Sequence, residues 1–187
     1  MKKQIILKNG RNAAITLILF GLIQFFILIP KFSSESSEVV GYLSMFVSMI
    51  FVFIGIRQYR DQKADGSLGF GEALKIGALI AIIPSLGFGI LDTIYTQIIN
   101  PEWTAQYYAQ YIEKLKASTP ADQWAATLAK IEKERSFFSN PVMLFLVMTF
   151  TVFIIGIIVS IISGISLKRT GIANGEIIGN GESKAKD

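Results

Sequence analysis

The sequence predicts an all-α, polytopic membrane protein with four transmembrane helices and an extracytoplasmic amphipathic helical hairpin between the third and fourth spans. Of its 187 residues, 51% are hydrophobic, and its mean hydropathy of +0.49 exceeds that of a typical soluble domain. Apolar runs at about 12–30, 39–56, 73–99 and 142–167 are each near the length that crosses a bilayer. An aromatic, amphipathic segment, 101–139, separates the last two runs.

The third run has a groove of small side chains and one acid. Small residues recur in it at every fourth position, which favours close approach by a neighbouring helix: Ala73, Gly77, Ala81, Ser85 and Gly89. Pro84 interrupts the backbone hydrogen bonds, and it is interpreted either as a static kink or as a hinge. Asp92 falls on nearly the same face, so we expect it to face protein rather than lipid, in a structural or a functional role. Gln97 follows it as a further polar candidate.

The first run follows a basic segment that contains Lys2, Lys3, Lys8 and Arg11. This order resembles a signal peptide, but the run is longer than a usual signal core and no cleavage pattern follows it, which favours an uncleaved span. Gln24 near its end is a candidate for an interhelical hydrogen bond or for a ligand contact.

The second run, 39–56, has its own small-residue face and ends in a basic, glycine-rich connection. Arg57, Arg60 and Lys75 flank that connection and are candidates for contact with lipid phosphates. The glycine spacing matches neither a Walker loop nor a dinucleotide fingerprint, so nucleotide binding is not expected.

The segment 101–139 has two helix-start signals, Asn100-Pro101 and Thr119-Pro120, each with a capping residue before proline. The pattern predicts two amphipathic helices joined as a hairpin, either as a structural element or as a ligand-binding cap. Aromatic residues typical of a membrane interface lie on its apolar faces: Trp103, Tyr107, Tyr111 and Trp124.

A third start signal, Asn140-Pro141, opens the fourth run. Small residues Gly156, Ser160 and Gly164 give this helix a smooth face, and we expect it to pack in the groove of the third run, with Ser85 and Ser160 as an example of a pair to cross-link. Residues 1–169 form a single membrane domain in this interpretation, and 170–187 form a flexible cytoplasmic tail.

The basic residues predict the orientation. Twelve of the 18 Lys and Arg residues lie in 1–11, 57–75 and 168–187. Because positive charge in short flanks marks the cytoplasmic side, both termini and the central connection are expected in the cytoplasm, with the hairpin outside. The predicted location is the bacterial cytoplasmic (inner) membrane, with membrane lipids as partners.

The composition argues against catalysis and against nucleic acid. The chain has no Cys and no His, which removes the usual thiol nucleophiles, imidazole bases and transition-metal ligands. We therefore expect neither an enzyme nor a bound cofactor or metal. The net charge of +4 arises from residues that flank apolar runs rather than from a basic patch, so a nucleic-acid partner is not expected.

Several motifs together resemble one bacterial family. They are the block from Gly55 to Gly77, which contains Arg57-Gln58-Tyr59-Arg60-Asp61 and Gly69-Phe70-Gly71-Glu72, then Asn100-Pro101, Asn140-Pro141 and the closing Lys168-Arg169. This arrangement is similar to the domain-of-unknown-function family numbered forty-one ninety-nine, over most of the chain up to about Arg169. The resemblance implies a bacterial envelope protein with four spans, and it implies no activity or catalytic residues.

The functional interpretation from the sequence is a structural or protein-interaction component of the bacterial envelope, as a homo-oligomer or with other membrane proteins. Association would use small-residue grooves in the bilayer and the hairpin aromatics outside it. The alternative is a small transporter or channel subunit that uses Asp92 and the Pro84 kink.

Overall fold

The computed structural model describes residues 2–28, 34–62, 66–168, 172–173 and 176–177. Within these residues the chain forms α-helices, two π-helical turns that extend the first and fourth helices, and one pair of short strands. The helices are α1 Lys2–Ile23, α2 Ser34–Ser48, α3 Ile50–Asp61, α4 Phe70–Ile94, α5 Trp103–Ser118, α6 Ala121–Phe138 and α7 Pro141–Leu167. The π-helical turns are Gln24–Leu28 and Tyr95–Ile99, and the strands are β1 Ile172–Ala173 and β2 Glu176–Ile177.

The four predicted spans are confirmed among the described residues. The segments long and apolar enough to cross a membrane are Lys2–Ile27, Glu38–Asp61, Phe70–Ile99 and Pro141–Leu167. Large apolar side chains cover their outer surfaces, and Leu43, Phe150 and Ile165 are each more than half exposed. An apolar exterior of this extent suits lipid rather than water. The protein is a multi-pass membrane protein.

The predicted hairpin is present as α5 and α6, which contact each other across a two-residue connection. It is lightly packed, because Tyr108 is the one described residue of α5 that is buried and Ile131 the one of α6. We call the end of the bundle that carries α5 and α6 the hairpin end, and the opposite end, where α3 is followed by α4, the connection end.

The main departure from expectation is at the start of the chain, where α1 extends through the basic segment. Asn9 is only 2% exposed, and its amide donates to the Ile5 carbonyl and to Gln58 Oε1 of α3, both at 2.9 Å. The Lys2 ammonium lies 5.6 Å from the centre of the Tyr59 ring. The segment is therefore a packed part of the bundle, which the basic side chains concealed in the sequence.

The second span consists of α2 and α3, separated at Met49. The small side chains Ser44 and Ser48 return hydrogen bonds to carbonyls one turn earlier, Ser44 to Val40 at 2.9 Å and Ser48 to Ser44 at 2.7 Å. Such bonds satisfy hydroxyl groups in an apolar setting without a partner helix. Gly55 allows Asn9 and Ile80 to approach α3 closely.

At the connection end, a tyrosine links α3 to α4. The Tyr59 hydroxyl donates to Glu72 Oε1 at 2.7 Å, and Glu72 lies in the first turn of α4, where its charge suits the helix dipole. Between the two helices Gly66 has a φ of 60°, a left-handed conformation that glycine adopts without strain.

α4 is the central helix, and its most extensive contact is with α7, as the small-residue pattern predicted. A Cβ atom added to Gly77 would collide with the Ser160 side chain, and one added to Gly156 would collide with Ala81. A Cβ at Gly164 would lie 3.4 Å from the Ala73 Cβ. The two antiparallel backbones therefore approach closely along the groove, which maximises van der Waals contact.

The register of this contact corrects one expectation. Ser160 lies against Gly77, and Ser85 is two turns further along α4, about 12 Å at 1.5 Å per residue. The proposed Ser85 and Ser160 pair is therefore wrong in register, although the pairing of the two helices is confirmed. Residue spacing identified the faces but could not determine how far one helix slides along the other.

The three helix-start signals differ in outcome. Asn140 caps α7 as expected, and its Oδ1 accepts from the Val142 and Met143 backbone amides at 2.9 and 3.3 Å. Asn100 is not the cap of α5, because its side-chain amide instead donates to the Tyr95 hydroxyl at 3.3 Å. Thr119 is not the cap of α6 either, since Pro120 occupies that position.

The predicted tail, 170–187, lies outside the described residues except for β1 and β2. These strands pair antiparallel, with Ile172 opposite Ile177 and Ala173 opposite Glu176.

The register of α4 and α7 can be tested by disulfide formation, since the chain has no native cysteine. We expect the variant Ala73→Cys, Gly164→Cys to cross-link under mild oxidation, because the two Cβ positions are 3.4 Å apart and disulfides need about 3.5–4.5 Å. The control variant Ser85→Cys, Ser160→Cys should stay reduced. The opposite result, measured by mass spectrometry of the oxidised chain, would contradict the observed register.

The close approach of the two helices also predicts a stability difference between two glycines. Gly156→Ala should lower the melting temperature in detergent, because its methyl group collides with Ala81 and overpacking costs about 1–3 kcal/mol. Gly71→Ala is the matched control on α4, where a Cβ meets nothing within 4 Å. Its melting temperature should be unchanged or raised, since alanine favours helix by up to ~1 kcal/mol. Equal effects of the two substitutions would contradict the tight contact.

Candidate functional site

A cavity of about 450 Å³ lies at the hairpin end of the bundle. Helices α2, α4 and α7 and the first π-helical turn form its walls, and α5 and α6 cover it. Its volume is in the range typical of small-molecule sites. Its lining residues on the spans are Gln24, Phe25, Glu38, Gly41, Tyr42, Met45, Phe88, Asp92, Leu144, Val147, Met148 and Thr151, and those on the hairpin are Trp103, Thr104, Gln106, Tyr107, Tyr108, Gln110, Glu134 and Phe138.

The cavity is polar at its rim and apolar at its base. Glu38, Gln106 and Gln110 are exposed, whereas Met45 and Phe88 are 7% and 8% exposed. Glu38 and Met45 are two turns apart on α2, so the cavity reaches about 10 Å into the bundle. The arrangement suits a molecule with an apolar body and a polar group.

Asp92 lines the wall of this cavity and is 7% exposed. α4 places it there by continuing the groove face of Ser85 and Gly89 by one further turn. Its Oδ2 atom has no hydrogen-bond partner among the described residues. A buried carboxyl oxygen without a donor is unfavourable unless another group compensates it, so Asp92 is the first candidate for a ligand contact.

The two π-helical turns meet beside Asp92 and shape this end of the cavity. The Phe25 and Tyr95 rings stack with centres 4.0 Å apart and planes 4° apart, and the Tyr95 hydroxyl donates to the Phe25 carbonyl at 3.4 Å. A π-helical turn replaces the i→i+4 hydrogen bonds of an α-helix with i→i+5 bonds, which leaves a backbone carbonyl outside the α-helical pattern. Such turns are frequent at functional sites. Here the first π-helical turn brings Gln24 and Phe25 into the lining.

Two tyrosines of α5 interact with glutamates of α2 and α6, and these contacts hold the two covering helices in place. The Tyr108 hydroxyl donates to Glu134 Oε1 of α6 at 3.4 Å, and the Tyr107 side chain lies beside the Glu38 carboxylate of α2. Burial, followed by the charge of Glu134, raises the pKa of Tyr108 to about 12. Burial, followed by the interaction with Glu38, likewise raises the pKa of Tyr107 above its usual range. Both hydroxyls therefore stay protonated and remain donors at physiological pH.

The expected interfacial aromatics divide into two groups. Trp103 and Tyr107 line the cavity, and their rings stack with centres 5.4 Å apart. Tyr111 extends this stack at 6.2 Å from Tyr107 and is 37% exposed. Trp124 on α6 is half-buried and is not among the lining residues.

The structure places the other candidates apart from one another. Gln24 joins Asp92 in the lining, whereas Pro84 lies buried two turns before Asp92 and Gln97 lies in the second π-helical turn, outside the lining.

The proposed headgroup contacts are at the connection end. Arg57 and Arg60 both pair with Asp61, at 3.7 and 2.7 Å, while Lys75 is exposed. Arg57 remains largely exposed despite its ion pair, so its side chain and that of Lys75 are both accessible at the surface.

Sequence reasoning missed Glu38, Tyr108 and Glu134 as parts of one site. Glu38 could be read as a loop acid before the second run, and Glu134 as one of several charges on a solvated face. One sequence signal was available. Trp103, Tyr107 and Tyr111 are spaced by four residues, and Tyr108 lies outside this series, on a neighbouring face of α5. The glutamates that interact with Tyr107 and Tyr108 could not be predicted from residue spacing, because each glutamate is distant from its tyrosine in the sequence.

In the part of the chain that the structure describes, no three or more His, Cys, Asp or Glu side chains are grouped closely enough to hold a metal ion.

Comparison with known proteins gives one result. Curated proteins and solved structures yield no match. The family described as "Protein of unknown function (DUF4199)" matches residues 9–169, which covers the bundle from α1 to the end of α7 and includes every lining residue of the cavity. The resemblance based on the Gly55 to Gly77 block is confirmed, and the chain belongs to this family of proteins of unknown function, DUF4199.

Proposed function

We propose that this membrane protein is a binding protein that takes a small amphipathic molecule into the cavity beneath α5 and α6. The observation that supports this most directly is the Asp92 carboxylate, buried in the cavity wall with its Oδ2 unpartnered among the described residues. An apolar base with a few convergent polar groups is the usual composition of a ligand site.

The proposed location is the bacterial inner membrane, with both termini in the cytoplasm and the hairpin outside. The support is the excess of Lys and Arg in 1–11, 57–75 and 168–187. With this orientation the cavity opens towards the outer leaflet and the medium beyond it, and Arg57 and Lys75 meet lipid phosphates on the cytoplasmic side.

Binding is favoured over transport because the bundle is closed below the cavity. Met49, Ala81 and Val152 are fully buried there, and Gly156 brings α7 directly against α4. A transporter or channel subunit using Asp92 would need α4 to separate from α7 near Pro84. The tight packing argues for a static role of Pro84.

The lining also favours binding over catalysis. Glu134 accepts the Tyr108 hydrogen bond and Glu38 lies beside Tyr107, and no His or Cys is present in the chain to serve as base or nucleophile. We therefore propose no enzymatic activity and no cofactor for this site.

A second candidate function is a structural or interaction component of the envelope, as a homo-oligomer or with other membrane proteins. The supporting observation is the stack formed by Trp103, Tyr107 and Tyr111, whose outer end is accessible. Exposed aromatic side chains are common anchors in protein interfaces. The cavity and the stack share α5, so a partner that bound Tyr111 would act on the cover of the cavity.

Native mass spectrometry of the chain extracted from its own membranes tests the binding function. We expect a small molecule to accompany the wild-type chain and to be lost from Thr151→Trp, because an indole at this lining position fills the base of the cavity. The neighbouring variant Phe150→Trp is the control, since Phe150 is 63% exposed on the outer surface. It should retain the molecule.

Two results would contradict the binding function: a wild-type chain without any bound small molecule, or identical adducts in both variants. Protein partners that co-purify equally with all three chains, in the absence of a small molecule, would support the interaction role instead.

The hydrogen bond between α5 and α6 predicts how firmly the cover is held. Tyr108→Phe should raise the rate of trypsin cleavage at the lysines of α5 and α6 by roughly three- to tenfold, since one hydrogen bond contributes about 0.5–1.5 kcal/mol. Tyr111→Phe is the control, because its partly exposed side chain packs on the neighbouring rings. Equal cleavage of the two variants, measured on the protein in nanodiscs, would show that the hydroxyl of Tyr108 does not hold the cover.

A further inference from the structure

The three acids that line the cavity are not equivalent. Glu38 and Glu134 are exposed, and each is engaged by a tyrosine of α5. Asp92 is 7% exposed, and its Oδ2 receives no hydrogen bond from any described residue. Two of the three carboxylates therefore hold the cover, and the third is available to an incoming group.

The charged side chains that line the cavity are all acidic. Among the described residues that line it there is no Lys or Arg, against the three carboxylates Glu38, Asp92 and Glu134. A carboxylate in an apolar wall strongly favours a positive partner, because the low dielectric strengthens the attraction between opposite charges. The lining thus selects for the charge of its ligand as well as for its shape.

We infer that the ligand of this cavity carries an ammonium group with at least one N–H, which donates to Asp92, and an apolar body that occupies the base formed by Met45, Phe88 and Met148. This inference rests on the proposed binding function and adds the chemical class of the molecule. The rings of Trp103 and Tyr107 in the same lining present aromatic faces that also attract a cation.

The N–H distinguishes this ligand class from its nearest alternatives. A quaternary ammonium is attracted by the rings and the charge, but it has no hydrogen to donate and leaves Oδ2 without a hydrogen bond. A neutral alcohol donates one hydrogen bond but leaves the carboxylate charge uncompensated. A metal ion would need further ligands, and among the described residues no three acids lie close enough together to supply them.

An ammonium of this kind has two sources near an outer leaflet. One is the headgroup of phosphatidylethanolamine, and the other is a free amphipathic amine. Both place the nitrogen at Asp92 and the apolar portion along the wall. The lipid also brings a phosphate, which would lie at the polar rim near Gln106 and Gln110 rather than in the acidic interior.

The inference can be tested with three probes that share a naphthalene group and differ in their polar substituent: 1-naphthylmethylamine, its N,N,N-trimethyl derivative and 1-naphthalenemethanol. Binding is measured to the full chain in phosphatidylcholine nanodiscs. We expect the primary amine to bind at least tenfold more tightly than either of the others. Asp92→Asn should remove this preference while keeping the weak binding of the alcohol, which shows that the variant is folded. Asp122→Asn, the same change at an exposed site of α6, should leave all three affinities unchanged.

The outcomes separate this inference from the binding function. If the three probes bind alike, Asp92→Asn changes nothing and Thr151→Trp still abolishes binding, the ammonium assignment is overturned and the cavity remains a binding site. If Thr151→Trp has no effect on any probe, the cavity is not the site and both proposals fail.

The same binding measurement in nanodiscs of a different lipid composition identifies the source of the ammonium group. Nanodiscs that contain phosphatidylethanolamine should weaken binding of the amine probe to the wild-type chain, but not the residual binding to Asp92→Asn, if the natural occupant is the lipid headgroup. An unchanged affinity in those nanodiscs, together with the amine preference, assigns the site to a free amine.

Discussion

The close contact between α4 and α7 is the constraint on which the rest of this structure depends. Lipid tails are as apolar as leucine, so helices in a bilayer gain little from burying hydrocarbon and must associate through close packing. Gly77 against Ser160 and Ala81 against Gly156 supply that packing. The α1 and α3 helices then pack around α4, with Leu17, Val52 and Ile80 in one continuous core.

The cavity is a consequence of where this contact ends. Gly89 still lies directly against Thr149 and Phe145 of α7, but one turn later α4 has Asp92 rather than another small residue. On the opposite side, the π-helical turn at Gln24–Leu28 shifts the end of α1. The space between these walls is covered by α5 and α6, which bury few side chains of their own and so form the least strongly held part of the fold.

Much of this fold can be predicted from the sequence because a bilayer imposes strong rules on length and polarity. Apolar run length located the spans, and the spacing of Gly156, Ser160 and Gly164 identified the partner of α4. The register of that pair, the helical start of the chain around Asn9 and the failure of Asn100 as a cap could not be predicted, since each depends on a contact with a residue distant in sequence. The cavity could not be predicted either, because residues distant in sequence form it. Asp92 was identifiable as an isolated acid in an apolar run, whereas the roles of Glu38 and Glu134 become visible only from their position beside the tyrosines of α5.

The burial of Asp92 is the main support for the ligand contact proposed above. An acid that serves packing in a membrane normally has a donor on a neighbouring helix, as the buried Asn9 amide has an acceptor in Gln58. The hydroxyl of Thr96 bonds to the backbone carbonyl of Asp92 rather than to its carboxylate. A carboxyl group in this setting gives up its hydration, and its Oδ2 gains no hydrogen bond from the described residues in return. Asparagine or leucine would fill the same wall at lower cost, which is why we propose a partner from outside the chain for the carboxylate.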